Sequence, residues 1–248
     1  MNSVHGKSIL IVGRMNFTVR HRVDELMDQP GLDQRLHQQA LSGLRRVNWF
    51  SRSSAILWPA IRDLAMHIKG RPLRIVDVAC GGGDIVISIA RRAARAGIGV
   101  EIAGCDISPF AVGHAQRLAV TAGIDASFFE LDALADRLPG DYDVVMCSLF
   151  LHHLEESAAV ELLKKMSAAT RHLMLINDLR RTRTGYLLAW LGCRLLSRSR
   201  IVHTDGPLSV AGAFSIDEVF ALAHLAGIEN AVISRHWPQR FLLTWKPS

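Results

Sequence analysis

The 248-residue chain has little of what defines disordered or membrane-spanning proteins. Charged residues make up only 21% of it and hydrophobic residues 49%, so there is enough apolar material for a core and too little charge for disorder. No apolar run reaches the ~18 residues of a transmembrane helix, and the apolar run at residues 9–12 is too short for a signal peptide. Repeats and low-complexity tracts are also missing. These absences leave a soluble globular protein as the expectation.

Cysteine is scarce, and its spacing excludes the common metal and redox motifs. The four cysteines contain no C-x-x-C pair, and each stands inside an apolar run. They are Cys80, Cys105, Cys147 and Cys193. We therefore expect reduced, buried thiols in a cytoplasmic protein.

The chain has no segment in which charge of one sign is concentrated. Lys and Arg number 29 against 23 Asp and Glu, which gives a formal net charge of +6. This balance favours anionic partners, but the basic residues are spread along the chain, so no nucleic acid is implied.

The sequence pattern changes at residues 70–72, where Gly-Arg-Pro separates a helical pattern from an alternation of strands and helices. Residues 1–70 predict an N-terminal helical cap. It has helical patterns at residues 23–27 and 36–47, and a further helix with Pro59 in its first turn.

Two other features of the cap carry expectations. Residues 1–14 have no clear pairing partner, and we expect them to be disordered. Trp49, Phe50 and Trp58 continue the apolar stripe of the cap; we expect them to pack in the core, and they could also form one wall of a ligand pocket.

From residue 73 onward, apolar runs alternate with helical patterns of about 10–15 residues. The runs predict strands at residues 73–79, 100–105, 126–131, 143–149, 172–178, 231–234 and 240–245. The intervening patterns predict helices at residues 84–96, 109–122, 155–169, 184–196 and 216–226. Continuous Val/Ile/Leu strands separated by helices indicate a sheet covered on both faces. The predicted fold class is α/β: a doubly wound, mostly parallel seven-stranded sheet with an antiparallel C-terminal edge hairpin and the N-terminal helical cap.

A glycine turn follows the first predicted strand, in the sequence Asp-Val-Ala-Cys-Gly-Gly-Gly-Asp at residues 77–84. Consecutive glycines let the backbone turn sharply and approach a ligand, and ligands bind at this edge of an open parallel sheet. Asp106 ends the second strand and Asp132 the third. The two oxygens of the Asp106 carboxylate suit the hydroxyls of a ribose. Capping of the next helix is the alternative for both aspartates, above all for Asp132.

Two nucleotide-binding classes share this layout but need residues that the chain lacks. The G-x-G-x-x-G turn of NAD-dependent dehydrogenases has a glycine where Val86 stands, and no Gly-Lys-Ser/Thr follows Gly83 as in a P-loop. Hydride transfer is therefore disfavoured, and a P-loop is excluded.

The turn resembles the first motif of the class I S-adenosylmethionine-dependent methyltransferases, which reads acidic residue, x, Gly, Cys, Gly, x, Gly. Asp77 stands at the acidic position, Ala79 at the first glycine, and Gly81 and Gly83 at the others. The resemblance covers residues 70–248 and extends to the later aspartates and to the Leu-His-His-Leu stretch that follows the fourth strand. It implies a Rossmann-like fold with S-adenosylmethionine as the methyl donor.

The resemblance also implies a division of the chain and a set of donor-binding residues. Residues 71–248 would be the S-adenosylmethionine-binding methyltransferase domain, with a lid insertion at about residues 180–212. The glycine turn would contact the methionine portion, Asp106 the ribose, Ile107 one face of the adenine, and Asp132 with Ala133 its edge. The full predicted donor-binding set is Asp77, Ala79, Cys80, Gly81, Gly83, Asp106, Ile107, Asp132, Ala133 and Cys147.

The donor's sulfonium makes its methyl group electrophilic, so the protein has to hold the acceptor in line and manage its proton. No metal is expected. A phenol with a pKa near 10 is largely protonated at neutral pH, so a base or a cationic neighbour would help. Because histidine accepts protons near neutrality, His152 and His153 are the catalytic candidates. Shaping the pocket or capping the next helix is an equal alternative for each.

Acceptor binding is predicted after the fifth strand. The apolar helix at residues 184–196 has basic residues at both ends, which fits a lid, a core-packed helix with solvated ends, or contact with a membrane surface. We favour the lid, with residues 203–207 as a loop that closes beside it. The candidate acceptor-binding residues are Asn177, Arg180, Trp190 and His203.

These expectations combine into a cytoplasmic methyltransferase of secondary metabolism, which methylates a hydroxyl oxygen of a small hydrophobic, aromatic or polyketide-like acceptor. Carbon methylation of a quinone precursor is the first alternative, because residues 81–84 also resemble the glycine turn of quinone-biosynthesis methyltransferases. RNA methylation is weakened by the lack of an RNA-binding module and of an Asn/Asp-Pro-Pro-aromatic motif. A non-catalytic binding protein is the third. No nucleic-acid partner is expected.

Overall fold

The computed structural model of the chain describes residues 16–28 and 33–247. The expectation of disorder for residues 1–14 lies outside this part of the chain.

The described residues form one sheet of seven strands, in the order β3-β2-β1-β4-β5-β7-β6. Strands β1 to β5 run parallel, and β7 is antiparallel to both β5 and β6. The strands are β1 (Leu73–Val78), β2 (Val100–Asp106), β3 (Ser127–Glu130), β4 (Tyr142–Ser148), β5 (Thr170–Leu179), β6 (Val232–His236) and β7 (Arg240–Trp245). This confirms the predicted fold class. The strand order reverses between β1 and β4, which is where a sheet of this kind binds its ligands.

Helices cover both faces of the sheet and its carboxyl edge. In chain order, those that the structure describes are α1 (Gln34–Phe50), α2 (Ser53–Ala65), α3 (Asp84–Arg95), α4 (Pro109–Ala122), α5 (Glu156–Ala169), α6 (Arg183–Leu196), α7 (Arg200–Gly212) and α8 (Ile216–Leu225). One core cluster packs α5 and α8 on the sheet through side chains such as Leu162 and Val219. The other packs α2, α3 and α4 on the opposite face through Ile61, Ile89 and Val112. Because α1, α6 and α7 pack together instead, they are available to cover a ligand.

The N-terminal segment differs from the sequence prediction. Residues 23–27 do not form an α-helix: residues 20–25 have no regular secondary structure, and one 3₁₀ turn follows at Leu26–Asp28. The backbone N–H groups of Leu26 and Met27 donate to the Asp205 carboxylate, each at 3.1 Å. A contact with a residue far along the chain therefore overrides the local helical pattern.

The prediction for the second helix of the cap is also wrong in detail. Pro59 lies inside α2 and not in its first turn, because the chain turns at Arg52, with a φ of 57°, and α2 begins at the next residue. Trp49 and Phe50 are 81% and 59% exposed, so neither is a core residue. Trp58 does pack, half-buried, against the core cluster that contains α2.

Residues 203–207 are not a loop but the middle of α7. Pro207 cannot donate a hydrogen bond to the carbonyl of His203, one turn before it. Arg194 of the neighbouring helix donates to that carbonyl instead, over 3.5 Å. The lid insertion predicted at residues 180–212 thus consists of two helices, α6 and α7.

Within the described ranges, no single helix has both the length and the hydropathy of a membrane span. The consecutive helices α7 and α8 meet these criteria only together, as a pair bent by 68°.

Candidate functional site

A cavity of about 920 Å³ opens at the carboxyl edge of the sheet. Its floor consists of residues that follow β1, β2, β3, β4 and β5, and its other walls come from α1, α6 and α7, with contributions from the N-terminal segment and from residues 237–240. Ten predicted site residues line it: Asp77, Ala79, Cys80, Gly81, Asp106, Ile107, Asp132, Ala133, His152 and His153.

The glycine turn lies on the cavity floor in a left-handed backbone conformation. Ala79, Gly81 and Gly83 have φ values of 55°, 52° and 75°. A Cβ atom at Gly81 would meet nothing within 4 Å, so the backbone is open to the cavity there. A Cβ atom at Gly83 would lie 2.7 Å from the Cβ of Ala115 and 2.8 Å from a ring carbon of Phe128, so only glycine fits at that position.

Asp106 fixes the turn from the neighbouring strand. Its Oδ2 accepts the N–H of Gly81 at 2.8 Å, and its Oδ1 accepts the N–H of Ser108 at 2.9 Å. Each carboxylate oxygen can accept more than one hydrogen bond, so this geometry is compatible with a ribose contact as well.

Asp132 makes capping contacts, the role that the sequence offered as the alternative to an adenine contact. Its Oδ1 accepts the N–H groups of Leu134 and Ala135, at 2.8 and 3.1 Å. The carboxylate therefore shapes the turn that borders the cavity, with Ala133 buried beside it.

Asp77 lies beneath the turn and is only 1% exposed. Its Oδ1 has no hydrogen-bond partner among the described residues. Burial, and then the nearby charges of Asp84 and Asp106, raise the pKa of its carboxyl group well above the ordinary value. An unpartnered buried carboxyl that borders a cavity fits a ligand with a cationic group, such as the ammonium of the S-adenosylmethionine that the sequence predicts.

At the other end of the cavity, His152 lies between two carboxylates. Its Nδ1 is 2.7 Å from Oδ1 of Asp178, its Nε2 is 3.6 Å from Oε1 of Glu25, and its backbone N–H donates to Asp178. Burial alone would lower the pKa of His152, but the charges of Asp178 and Glu25 outweigh it and raise the pKa to about 10. The same pairing lowers the pKa values of Asp178 and Glu25. His152 is therefore an imidazolium at neutral pH.

His153 completes this cluster. Its ring lies 4.3 Å from the ring of His152, centroid to centroid, and its Nε2 is 3.8 Å from Oε1 of Glu25. Ser209 donates a hydrogen bond to the same Glu25 oxygen. The ligand atoms of Glu25, His152 and His153 lie within 4.8 Å of one another, so these groups could hold a metal ion. Metal binding there would displace the proton of His152, because a metal ligand must be the neutral imidazole.

Six predicted site residues do not border the described cavity: Gly83, Cys147, Asn177, Arg180, Trp190 and His203. Cys147 and Asn177 are fully buried within their strands. The Trp190 ring packs under the Arg194 guanidinium, and Nε2 of His203 lies 2.7 Å from the carbonyl oxygen of Ser197. The ligand contacts predicted for these six stay predictions.

Three polar residues that line the cavity, Glu25, Asn48 and Arg240, are among those to which the sequence assigned no role. The rule that polar groups near strand ends face the ligand would have found Asp178, the last residue but one of β5, which contacts His152. No local pattern indicates the other three, because they reach the cavity only through the packing of the N-terminal segment, α1 and β7.

Residues 75–172 match the family described as "Methyltransferase domain". The chain is 30% identical over 138 residues to the ubiquinone biosynthesis O-methyltransferase of Paraburkholderia phytofirmans, an alignment that covers 55% of this chain and 56% of that enzyme. The chain thus spans little more than half the length of this curated relative.

Solved structures share the fold at low sequence identity. Magnesium protoporphyrin IX methyltransferase from Synechocystis PCC 6803, with bound SAH (S-adenosylhomocysteine), has a TM-score of 0.54 and 19% identity, and covers 90% of this chain and 91% of its own. An O-methyltransferase family 2 protein from Planctomyces limnophilus, in complex with apigenin, has a TM-score of 0.55 and 17% identity, and covers 80% of this chain and 62% of its own. Residues 75–172 are thus a methyltransferase domain, and the chain shares the fold of methyltransferases solved with S-adenosylhomocysteine bound; S-adenosylmethionine is the methyl donor of such domains.

Proposed function

We propose that this chain transfers the methyl group of S-adenosylmethionine to a hydroxyl oxygen of a small hydrophobic, aromatic or polyketide-like acceptor. The proposal depends on one observation: a single cavity joins the glycine turn to the cluster of Glu25, His152 and His153. Oxygen methylation removes the hydroxyl proton, and a cluster of titratable side chains beside the donor site is suited to this step.

The two histidines have different roles in this proposal. His152 is already protonated at neutral pH, so it stabilises the negative charge that develops on the acceptor oxygen. His153 is the more exposed of the two and accepts the proton, and the Glu25 carboxylate, 3.8 Å from its Nε2, can pair with the imidazolium that forms. The bond from oxygen to the methyl carbon forms as the bond from sulfur to that carbon breaks, and S-adenosylhomocysteine leaves.

The acceptor chamber is apolar. Phe50 and the α6 residues Leu191 and Leu195 line the cavity and are also exposed, so they stand at its mouth. This supports α6 as a lid over a hydrophobic acceptor rather than a helix packed entirely in the core. Arg183 and Arg198 flank the same exposed leucines, which supports contact with an anionic membrane surface.

The names of the relatives favour an oxygen acceptor over the alternatives. The curated relative described above is an O-methyltransferase of ubiquinone biosynthesis, and one of the solved structures holds the aromatic compound apigenin. Carbon methylation of a quinone precursor is compatible with the same cavity and is the second candidate.

The test is a transfer assay with the purified chain, donor labelled in its methyl group, and a panel of phenols, catechols, hydroxyquinones and total RNA. We expect label in a hydrophobic hydroxylated aromatic, and mass spectrometry with NMR should locate it on oxygen. Label on carbon or in RNA would contradict the proposal. Binding of S-adenosylhomocysteine without transfer to any acceptor would indicate a binding protein.

A further inference from the structure

Arg240, the first residue of β7, is a buried cation with unused hydrogen-bonding capacity. It lines the cavity, is 2% exposed, and donates from Nη2 to Oγ of Ser51 at 2.8 Å. Its Nε and Nη1 atoms have no hydrogen-bond partner among the described residues. Burial lowers the pKa of Arg240 to about 10, and the more distant charges of Asp178 and Asp84 offset this only in part. Burial of a guanidinium whose N–H groups are not all hydrogen-bonded costs free energy unless an anion pairs with it.

Other residues of the cavity wall also have polar atoms without a hydrogen-bond partner in the described part of the chain. Asn48, in the last turn of α1, donates to Oδ2 of Asp84 at 3.2 Å, while its own Oδ1 has no partner in the described chain. Asp84 begins α3, directly after the glycine turn, and its charge acts on Asp77. All four residues line the cavity. The guanidinium of Arg240 and the carboxyl groups of Asp77 and Asp84 therefore border the same cavity.

This arrangement of charges is complementary to an α-amino acid, which carries a carboxylate and an ammonium on neighbouring atoms. S-Adenosylmethionine has such a group at the end opposite its adenine. We propose that Arg240 binds the α-carboxylate of the donor through the charge-assisted hydrogen bonds of Nε and Nη1, and that Asp77 and Asp84 hold its α-ammonium. The inference rests on the identity of the donor and does not depend on which acceptor is methylated.

Two ligands of wild-type protein test the charge complementarity directly. S-Adenosylhomocysteine has the carboxylate, and its decarboxylated analogue, S-adenosyl-3-thiopropylamine, keeps the amine and the nucleoside. We expect calorimetry to show that the full chain binds the first roughly 10- to 150-fold more tightly, the range given by one hydrogen bond with a charged group. Equal affinities would overturn the assignment.

Substitution of Arg240 separates a ligand contact from a merely structural role. In Arg240→Met, the affinity for S-adenosylhomocysteine should fall by about the same factor, while the affinity for the decarboxylated analogue should change less than about threefold. Arg240→Lys, which keeps the charge but not the geometry, should be intermediate. Arg235→Met, which removes an exposed arginine from the neighbouring strand β6, is the matched control and should bind both ligands as wild type does.

Other results overturn the proposal in different ways. If Arg240→Met weakens both ligands equally, the residue only supports the fold. If it leaves S-adenosylhomocysteine binding unchanged but weakens a carboxylated acceptor, the carboxylate belongs to the acceptor. If Arg240→Met does not fold, the comparison of the two ligands on wild-type protein and on Arg240→Lys still decides the question.

Discussion

Nδ1 of His152 lies 2.7 Å from Oδ1 of Asp178 in the buried wall of the cavity. This contact has the geometry of a charge-assisted hydrogen bond, and together with Glu25 it keeps the imidazole protonated although it is buried. The histidine that the sequence offered as a base is therefore already protonated at neutral pH. We propose its neighbour His153 as the proton acceptor instead.

The pairing of His152 predicts a pH-dependent contribution to stability. The pKa in the folded chain, about 10, lies above the ~6.5 of an unfolded histidine, so the stabilisation is complete below about pH 6.5 and is lost as the pH rises through 10. His152→Gln should lower the free energy of unfolding by about 3–5 kcal/mol at pH 6.5 and by clearly less at pH 10. Urea unfolding of both proteins at several pH values measures this, with the exposed His67→Gln as control. A gap that is constant with pH would contradict the protonated state.

The assignment of His153 as base predicts a split between catalysis and binding. His153→Ala should lower kcat by roughly 10²–10⁴-fold, because it removes the group that takes the acceptor's proton. Its affinity for S-adenosylhomocysteine, measured by calorimetry, should stay within about twofold of wild type. A variant that keeps full turnover would remove His153 from the mechanism.

Asp106 should be necessary for donor binding. Asp106→Ala removes a carboxylate that fixes Gly81 and is predicted to bind the ribose, so the Kd for S-adenosylhomocysteine should rise roughly 10- to 150-fold. Asp125→Ala, at an exposed position before β3, is the matched control and should not change it. If the two variants bind equally well, Asp106 has no role in holding the donor.

Two glycines of the same turn should respond differently to alanine. Gly83→Ala places a Cβ atom within 3 Å of Ala115 and Phe128, so it should destabilise the fold by about 1–3 kcal/mol beyond the backbone strain. Gly81→Ala adds only the cost of its positive φ, about 1–2 kcal/mol, but places a methyl group where the donor would lie. Thermal unfolding should therefore show the larger loss of stability for Gly83→Ala. Calorimetry, corrected for the fraction of each variant that is folded, should show the larger loss of donor affinity for Gly81→Ala. The reverse order would contradict this description of the turn.

The residues at the mouth of the cavity lead us to expect that the protein binds membranes containing anionic lipid. Vesicles that contain phosphatidylglycerol should sediment the protein, and pure phosphatidylcholine vesicles should not, because Arg183 and Arg198 flank the exposed leucines of α6. Leu195→Glu should abolish the sedimentation, whereas Leu225→Glu, on an equally exposed leucine of α8, should not. Equal binding to both kinds of vesicle would argue against an anionic surface as the partner.

The elements with strong local signals could be predicted from the sequence. Helix α4 spans residues 109–122 as expected, because Ser108 caps it, Pro109 occupies its first turn, and Gly123 ends it in a left-handed conformation. The alternation of apolar strands and helices also gave the fold class and brought the glycine turn and Asp106 to one edge of the sheet.

The remainder depends on contacts between distant parts of the chain. The helix expected at residues 23–27 gives way to an irregular segment and a 3₁₀ turn held by Asp205. The loop expected at residues 203–207 is helical, and Arg194 of the neighbouring helix satisfies the carbonyl that Pro207 leaves open. For the same reason Glu25 and Arg240 could not be assigned roles: neither belongs to a motif, and the packing of other elements brings each to the cavity.

The Asp205 carboxylate of α7 accepts hydrogen bonds from the backbone N–H groups of Leu26 and Met27. The position of the neighbouring Glu25, which is the acidic partner of both histidines, therefore depends on this contact between α7 and the N-terminal segment. Loss of the Asp205 carboxylate would release this restraint on Glu25 and would weaken one of the two charges that keep His152 protonated.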